Sequence, residues 1–130
     1  MTILLDTSAV IALGQLPETL VEGETLVVSA ITAAELAYGL DVGDKTEADA
    51  RAIRFRRVLE SFEIMPFGVE EAKLYGVLSS MVRWSGRDPR PRRLDLQIAA
   101  TAAAARFPVL TSNPRDFEGL TPLVDVIPIA

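Results

Sequence analysis

The segment Ile3–Ser8, with the sequence ILLDTS, sets the pattern of the whole chain. Its three apolar residues predict a short buried strand. The Asp, Thr and Ser that follow favour the start of a helix, which we expect to run to about Leu13. A strand that passes directly into a helix is the repeating unit of an α/β protein. Asp6 is therefore expected at the carboxyl end of a strand.

The same alternation continues along the rest of the 130 residues. Further strands are expected over Thr25–Val28, Phe62–Phe67, Pro108–Thr111 and Val124–Ile127, and helices over Ile31–Leu40, Thr46–Ser61, Val69–Trp84 and Leu94–Arg106. The strands are continuous apolar runs, which is typical of a parallel sheet covered by helices on both faces. No repeat or linker interrupts the chain, so we predict one α/β domain over residues 1–130. In such folds ligands bind at the carboxyl ends of the strands.

The composition excludes several kinds of chemistry, because the chain contains neither cysteine nor histidine. Disulfides, Cys/His zinc sites, thiolate nucleophiles and Ser-His-Asp triads are all ruled out. An enzyme of this composition must work with carboxylates, hydroxyls, Lys or Arg, and a bound cation.

The charge is divided unevenly along the chain. The net charge is −5, but residues 1–50 carry −8 and residues 51–130 carry +3, and 11 of the 13 basic residues are Arg. Arg suits bidentate phosphate contact, so a local basic surface is possible on an acidic protein. No apolar run is long enough to cross a membrane and no signal peptide is evident, so we expect a soluble, cytoplasmic protein.

Four acids stand out by their positions. Asp6 follows the first strand and Asp116 follows the strand Pro108–Thr111, whereas Glu35 and Asp95 are the only charges within apolar helical segments. Each has an ordinary explanation when taken alone. Asp6 could cap a helix, Glu35 could pair with an Arg, Asp95 could stabilise a helix N-terminus, and Asp116 could lie in a surface turn.

Taken together, the four acids predict a metal site. Two carboxylates about 4 Å apart repel by roughly 4 kcal/mol at an effective dielectric near 20, so a cluster requires a cation. An all-oxygen site suits Mg²⁺ or Mn²⁺ rather than zinc. Without histidine the metal must activate water itself, which is the logic of metal-assisted phosphodiester hydrolysis.

Four segments in order carry a resemblance to a known family. They are Leu4–Ala9 (LLDTSA), Ser29–Gly39 (SAITAAELAYG), Arg93–Ala102 (RLDLQIAATA) and Leu110–Phe117 (LTSNPRDF). The chain resembles PIN-domain proteins, and more narrowly the VapC-type toxins of toxin–antitoxin pairs. Each segment is a weak motif by itself, but four in order over nearly the whole chain are specific.

The resemblance implies a five-stranded parallel sheet and a Mg²⁺- or Mn²⁺-dependent endoribonuclease. It assigns the core site to Asp6, Glu35 and Asp95, with Asp116 as a more variable fourth acid. By analogy Thr7 and Thr111 would orient water or a carboxylate. In the last motif Asn113 stands where some members carry an acid. The resemblance also implies a homodimer and a cognate antitoxin that blocks the site.

The arginines and the single Trp have two interpretations each. Arg87, Arg90, Arg92 and Arg93 precede Asp95 and could grip RNA phosphates, or could lie on a solvated loop. Over Thr46–Ser61 we expect Ala48, Ala52, Phe55, Leu59 and Phe62 to form the buried stripe; Arg51, Arg54, Arg56 and Arg57 would then form a solvent face or a partner-binding groove. Trp84 is expected in the core or at a dimer interface, with base stacking as the alternative.

Three rival functions remain to be weighed. A haloacid-dehalogenase-type phosphatase needs a second Asp two residues after the first, where this chain has Ser8. A receiver domain needs an acidic pair near the first strand, which offers only Asp6. A catalytically inactive PIN-like scaffold that binds RNA or protein is the serious alternative, although the presence of all the expected acids weighs against it.

Overall fold

The five strands form a single parallel sheet in the order β3-β2-β1-β4-β5, in a computed structural model that describes residues 1–129. The strands are β1 (Thr2–Leu5), β2 (Thr25–Ser29), β3 (Glu63–Met65), β4 (Val109–Thr111) and β5 (Val126–Pro128). Each strand pairs in parallel with its neighbours. The predicted five-stranded parallel sheet is thus confirmed.

Six α-helices connect the strands in the described part of the chain. They are α1 (Thr7–Ile11), α2 (Glu18–Val21), α3 (Ala30–Tyr38), α4 (Lys45–Ser61), α5 (Val69–Trp84) and α6 (Arg93–Ala105). Short 3₁₀ helices cover Leu13–Gln15, Arg90–Arg92 and Pro114–Phe117. None of the helices in residues 1–129 is long and apolar enough to cross a membrane.

Most differences from the expected boundaries have local causes. The first helix ends at Ile11 because Gly14 and Pro17 follow, and both disfavour a helix interior. The last strand begins at Val126 rather than Val124, since the amide of Val124 donates to the carbonyl of Leu120 at 3.2 Å and belongs to a turn. The third strand stops before Pro66, which lacks an amide donor.

The two faces of the sheet bury separate clusters, as the alternation along β1 requires. Leu4 packs into a cluster with residues of α5 and α6, including Leu78 and Leu96. Ile3 and Leu5 point the other way, into a cluster that includes Val58 of α4. The prediction of helices on both faces is confirmed.

The buried face of α4 matches the predicted stripe at Ala48, Phe55 and Phe62, which are half-buried, but not at the other two residues of the stripe. Val58 is its one fully buried residue, whereas Leu59 is 47% exposed and Ala52 is also exposed. The helix packs at the rim of the domain, where the alkyl parts of long Arg side chains can cover apolar neighbours. Arg54 and Arg51, one and two turns before Val58, are consequently half-buried on the inner side.

The sheet order brings three strand ends to one place. The central strand β1 ends at Leu5, next to Asp6, and lies between β2, which ends at Ser29, and β4, which ends at Thr111. Because all three strands are parallel, their carboxyl ends lie on one edge of the sheet. The candidate site is built on this edge.

Candidate active site

Asp6 is a buried carboxylate held by three donors, with only 3% of the residue exposed. One oxygen accepts from the hydroxyl of Ser8 at 2.6 Å and from the amide of Ala9 at 2.9 Å. The other accepts from the hydroxyl of Thr111 at 2.5 Å. Asp6 therefore does cap α1, as the ordinary explanation supposed, but it is also fixed from β4, which a cap alone does not require. These donors satisfy both oxygens of a buried carboxylate and fix its orientation.

Thr111 and Ser8 connect the two strand ends around Asp6. The hydroxyl of Thr111 accepts from the amide of Asn113 at 2.9 Å, and that of Ser8 accepts from the amide of Ser112 at 3.0 Å. Sequence reasoning singled out Thr111 but gave Ser8 no role beyond the capping run. Asn113 contributes its backbone amide, while its side chain is exposed and makes no hydrogen bond within residues 1–129.

Glu35 lies on α3 and is positioned from α1. Its Oε1 accepts a hydrogen bond from the hydroxyl of Thr7 at 2.8 Å, and that hydroxyl also lies 3.1 Å from the hydroxyl of Thr32. No Arg or Lys pairs with Glu35 within residues 1–129, so the expected salt-bridge alternative is not seen there. The carboxylate is oriented by a neutral hydroxyl instead.

The surroundings of Glu35 differ from the expectation in one respect. The sequence indicated a helix buried nearly all round, yet Ala37 and Tyr38 are exposed and Glu35 is only half-buried. Tyr38 is 86% exposed. Glu35 is thus a partly solvated acid at the mouth of the site rather than an isolated charge in the core.

Asp95 lies in the first turn of α6, and its pKa is affected by the charges of the other acids. The pKa of Asp95 is raised from the ordinary 3.8 to about 6. Burial is the largest cause, the charges of Asp116, Glu35 and Asp6 add to it, and the charge of Arg92 opposes it. A carboxylate that served to stabilise a helix N-terminus would have a lowered pKa. The raised pKa therefore argues against the capping explanation and places Asp116, Glu35 and Asp6 within electrostatic reach of Asp95.

Asp116 lies half-buried in the 3₁₀ helix after β4, and Arg92 holds that segment in place. The Nε of Arg92 donates to the carbonyl oxygen of Asp116 at 3.0 Å, and Nη2 donates to the same oxygen and to that of Glu118 at 3.3 Å. Arg92 thus links the start of α6, which carries Asp95, to the loop that carries Asp116. Most of its donors serve this contact, although the buried Nη1 has no partner within residues 1–129.

The other three arginines of the predicted RNA-binding set lie on the surface. Arg87 pairs with Glu118 at 3.2 Å and Arg90 pairs with Asp88 at 2.8 Å. Arg93 is exposed. Trp84 is 81% exposed at the end of α5, which excludes the core role, whereas the dimer-interface and base-stacking roles stay predictions.

The comparison with known proteins decides the family. The sequence model of the PIN domain matches residues 3–120, a span that contains all four acids. The chain belongs to the PIN-domain family. The predicted resemblance is confirmed over nearly the full length of the chain.

Individual relatives of this PIN domain are named VapC. A protein of Rickettsia bellii named Ribonuclease VapC is 29% identical over 133 residues, covering 95% of this chain and 93% of the relative. Ribonuclease VapC5 of Mycobacterium tuberculosis is 33% identical over 119 residues, covering 89% and 85%. The crystal structure of VapBC-5, a member of the VapBC family of toxin–antitoxin systems from Mycobacterium tuberculosis, has a TM-score of 0.85 at 30% identity and covers 98% of both chains.

The carboxylates of this PIN domain supply oxygen donors and negative charge, which suit a divalent cation, but they do not form a complete coordination site among the described residues. Within residues 1–129, no three acidic side chains converge closely enough to form a complete metal site. The raised pKa of Asp95 nevertheless shows uncompensated like charge at this edge of the sheet. An all-oxygen donor set with excess negative charge is the kind that suits a hard divalent cation such as Mg²⁺ or Mn²⁺.

A cleft of about 180 Å³ opens beside Glu35, between α3 and α4. Thr7 and Glu35 line one side, and Arg51 and Arg54 line the other. The sequence placed both arginines on a solvent face or in a partner groove, because the predicted apolar stripe of α4 did not include Val58. Their spacing from Val58, at i−7 and i−4, was the signal that could have placed them inward.

Proposed function

We propose that this protein is a metal-dependent endoribonuclease toxin whose activity a cognate antitoxin neutralises. The observation that carries the proposal is the placement of three carboxylates, those of Asp116, Glu35 and Asp6, close enough to Asp95 to raise its pKa at the carboxyl edge of a PIN-domain sheet. The names of its VapC ribonuclease relatives support RNA as the substrate. An RNA substrate would place its action in the cytoplasm.

Asp6, Glu35, Asp95 and Asp116 would hold Mg²⁺ or Mn²⁺. When bound, the cation supplies charge neutralisation at the phosphate and lowers the pKa of a coordinated water. Burial and the charges of three other acids raise the pKa of Asp95. Such unfavourable like charge is expected where a bound cation completes the site.

The side chains around the acids have positioning roles in this proposal. Thr111 and Ser8 hold both oxygens of Asp6, so that this carboxylate enters the site in one orientation. Thr7 orients one oxygen of Glu35 and leaves the other oxygen available. Preorganised ligands of this kind lower the cost of assembling the site when substrate binds.

A protein partner and a second copy of the chain are part of the same proposal. The VapBC-5 structure is named as a toxin–antitoxin system, which supports a cognate antitoxin here. Tyr38 on α3 and Trp84 on α5 are large apolar side chains that are almost fully exposed. Exposed aromatic residues of this size are typical of surfaces that partners cover, whether an antitoxin or the other half of a homodimer.

The activity is tested by incubating the purified chain with total cellular RNA in Mg²⁺, in Mn²⁺ and in EDTA. Cleavage is expected with either cation and is expected to be lost in EDTA and in Asp6→Asn and Asp95→Asn. Asp125→Asn is the matched control, because Asp125 is exposed and precedes β5 at the opposite edge of the sheet. Cleavage that persists in EDTA would contradict the metal-carboxylate mechanism.

The toxin role has its own test. Growth arrest on expression is expected to disappear with Glu35→Gln and to remain with Asp125→Asn. If arrest persisted in Glu35→Gln while RNA cleavage was lost, toxicity would not come from nuclease activity.

The second candidate is a catalytically inactive PIN scaffold that binds RNA or protein. It is favoured by one observation, namely that no three carboxylates within residues 1–129 form a complete metal site. It predicts RNA binding without cleavage in every cation tested. The incubation described above therefore distinguishes the two candidates directly.

A further inference from the structure

Two guanidinium groups line the cleft between α3 and α4, beside the acidic site, and neither forms an ion pair with Glu35 in the described part of the chain. Arg51 and Arg54 line the same cavity as Glu35 and Thr7. The cleft is therefore a cationic pocket that adjoins the carboxylates.

The two arginines differ in how their donors are used. Arg51 donates from Nη1 to the carbonyl of Val42 at 2.5 Å and lies 3.9 Å from a carboxylate oxygen of Glu47. Arg54 makes no hydrogen bond and no ion pair within residues 1–129, although it is half-buried. Arg51 is thus largely committed to the α3–α4 connection, and Arg54 holds its donors free.

The four carboxylates would repel the phosphates of an RNA chain bound nearby, except for the phosphate whose charge a bound cation neutralises. The neighbouring phosphates need a cationic contact of their own, and Arg is the side chain whose planar donors match a phosphate oxygen pair. Arg54 is a free guanidinium at the Glu35 side of the site. We propose that Arg54, beside Arg51, forms a phosphate-binding subsite for the RNA strand flanking the scissile bond. This inference rests on the proposed ribonuclease function.

A protein partner is the other occupant to weigh. An adjoining groove along α1 and α4 is lined mainly by apolar residues, including Leu13, Ala50 and Ile53, and its character suits a protein. Arg54 lies between the two and lines this groove as well as the cleft. The cleft itself contains the hydroxyl of Thr7 and the carboxylate of Glu35, which are groups of the candidate site. That continuity favours the substrate as the occupant of the cleft.

The test measures RNA binding directly, so that it does not depend on cleavage. Affinity for a single-stranded RNA 12-mer is measured by fluorescence anisotropy in Mg²⁺, over a range of salt concentrations, with every variant in an Asp95→Asn background. Arg54→Gln is compared with Arg56→Gln, a control on the exposed side of the same helix. The melting temperature of each variant is recorded alongside.

Arg54→Gln is expected to weaken RNA binding five- to tenfold and to reduce the slope of log affinity against log salt by about 0.7, the value for one phosphate contact on a single strand. Arg56→Gln is expected to change neither. In the cleavage-competent chain Arg54→Gln is expected to raise KM by a similar factor while kcat stays within about twofold. A split of this kind indicates substrate binding rather than damage to the carboxylates.

Two results would overturn the subsite. The first is that Arg54→Gln binds RNA with unchanged affinity and an unchanged salt slope. The second is that Arg54→Gln binds RNA with unchanged affinity but binds the antitoxin more weakly, which would assign the cleft to a protein partner. If Arg54→Gln lowers the melting temperature, Arg54→Lys takes its place. The proposal then requires weaker RNA binding at an unchanged salt slope, and affinity equal to the wild type refutes it. Failure of the wild-type chain to cleave RNA would instead refute the proposed function.

Discussion

Replacing Asp95 with Asn is expected to stabilise the protein at neutral pH in the absence of divalent cations. Burial and the charges of Asp116, Glu35 and Asp6 raise the pKa of Asp95 from 3.8 to about 6. In the unfolded chain this carboxyl group ionises at its ordinary pKa, so ionisation favours unfolding. The destabilisation is absent below about pH 3.8, grows as the pH rises, and is complete above about pH 6.

The size of the effect follows from the shift. About two pKa units at 1.36 kcal/mol each correspond to roughly 3 kcal/mol. Asp95 is only half-buried, so solvent screening reduces this to about 1–2 kcal/mol. For a domain of this length that corresponds to a rise in melting temperature of roughly 3–8 °C.

The assay is thermal unfolding of the wild type and of Asp95→Asn in EDTA at pH 7.5 and at pH 4. Asp95→Asn is expected to melt higher at pH 7.5 and to approach the wild type at pH 4, where the native carboxyl is protonated. Adding Mg²⁺ at pH 7.5 is expected to stabilise the wild type more than the variant, because a ligand that binds only the folded state raises stability. Asp125→Asn is the control at both pH values. A variant that melts at or below the wild type in EDTA at pH 7.5 would refute the electrostatic argument.

Three further predictions concern the supports of the site and of the fold. Thr111→Val removes one donor from the buried carboxylate of Asp6 and is expected to cost about 1–2 kcal/mol in urea unfolding, whereas an unchanged midpoint would show that the hydroxyl is dispensable. Arg92→Gln is expected to lower kcat at least tenfold by releasing the loop that carries Asp116, while Arg93→Gln leaves kcat within twofold; equal effects would remove the distinction. Val58→Ala is expected to destabilise the domain by about 1–3 kcal/mol and Leu59→Ala by less than about 0.5 kcal/mol, and the reverse order would contradict the observed orientation of α4.

Elements with strong local signals could be predicted from the sequence alone. The segment ILLDTS gave both β1 and the start of α1, and the apolar runs at Thr25 and Val109 gave two neighbours of β1 in the sheet. Parallel pairing of these strands then placed Asp6 and Thr111 at one edge. A segment in which an apolar strand ends in polar residues is informative, because it predicts both the strand and the side chains that lie at the site.

The arrangement of α4 could be predicted only in part, because its sequence supports more than one amphipathic face. The apolar periodicity predicts a stripe that includes Leu59, yet the domain buries Val58 and turns Leu59 toward solvent. Long Arg side chains make this possible, since their alkyl segments cover apolar surface while the guanidinium stays in a cleft. The position of Arg54 beside Glu35 could therefore not be predicted from a pattern that counts Arg only as polar.

Glu35 shows how a correct residue can be reached through an incomplete physical argument. The sequence singled it out as a lone charge on a helix that looked buried on all sides, but the helix exposes Tyr38 and Ala37. What distinguishes Glu35 in the structure is its position near the mouth of the site, on a helix that begins directly after β2, with Thr7 donating to it from the neighbouring strand–helix junction. A fully buried carboxylate would be closed off from a ligand, whereas a half-exposed one is accessible. In the proposed function, the exposure that weakens the original argument is what lets Glu35 meet both a cation and an RNA strand.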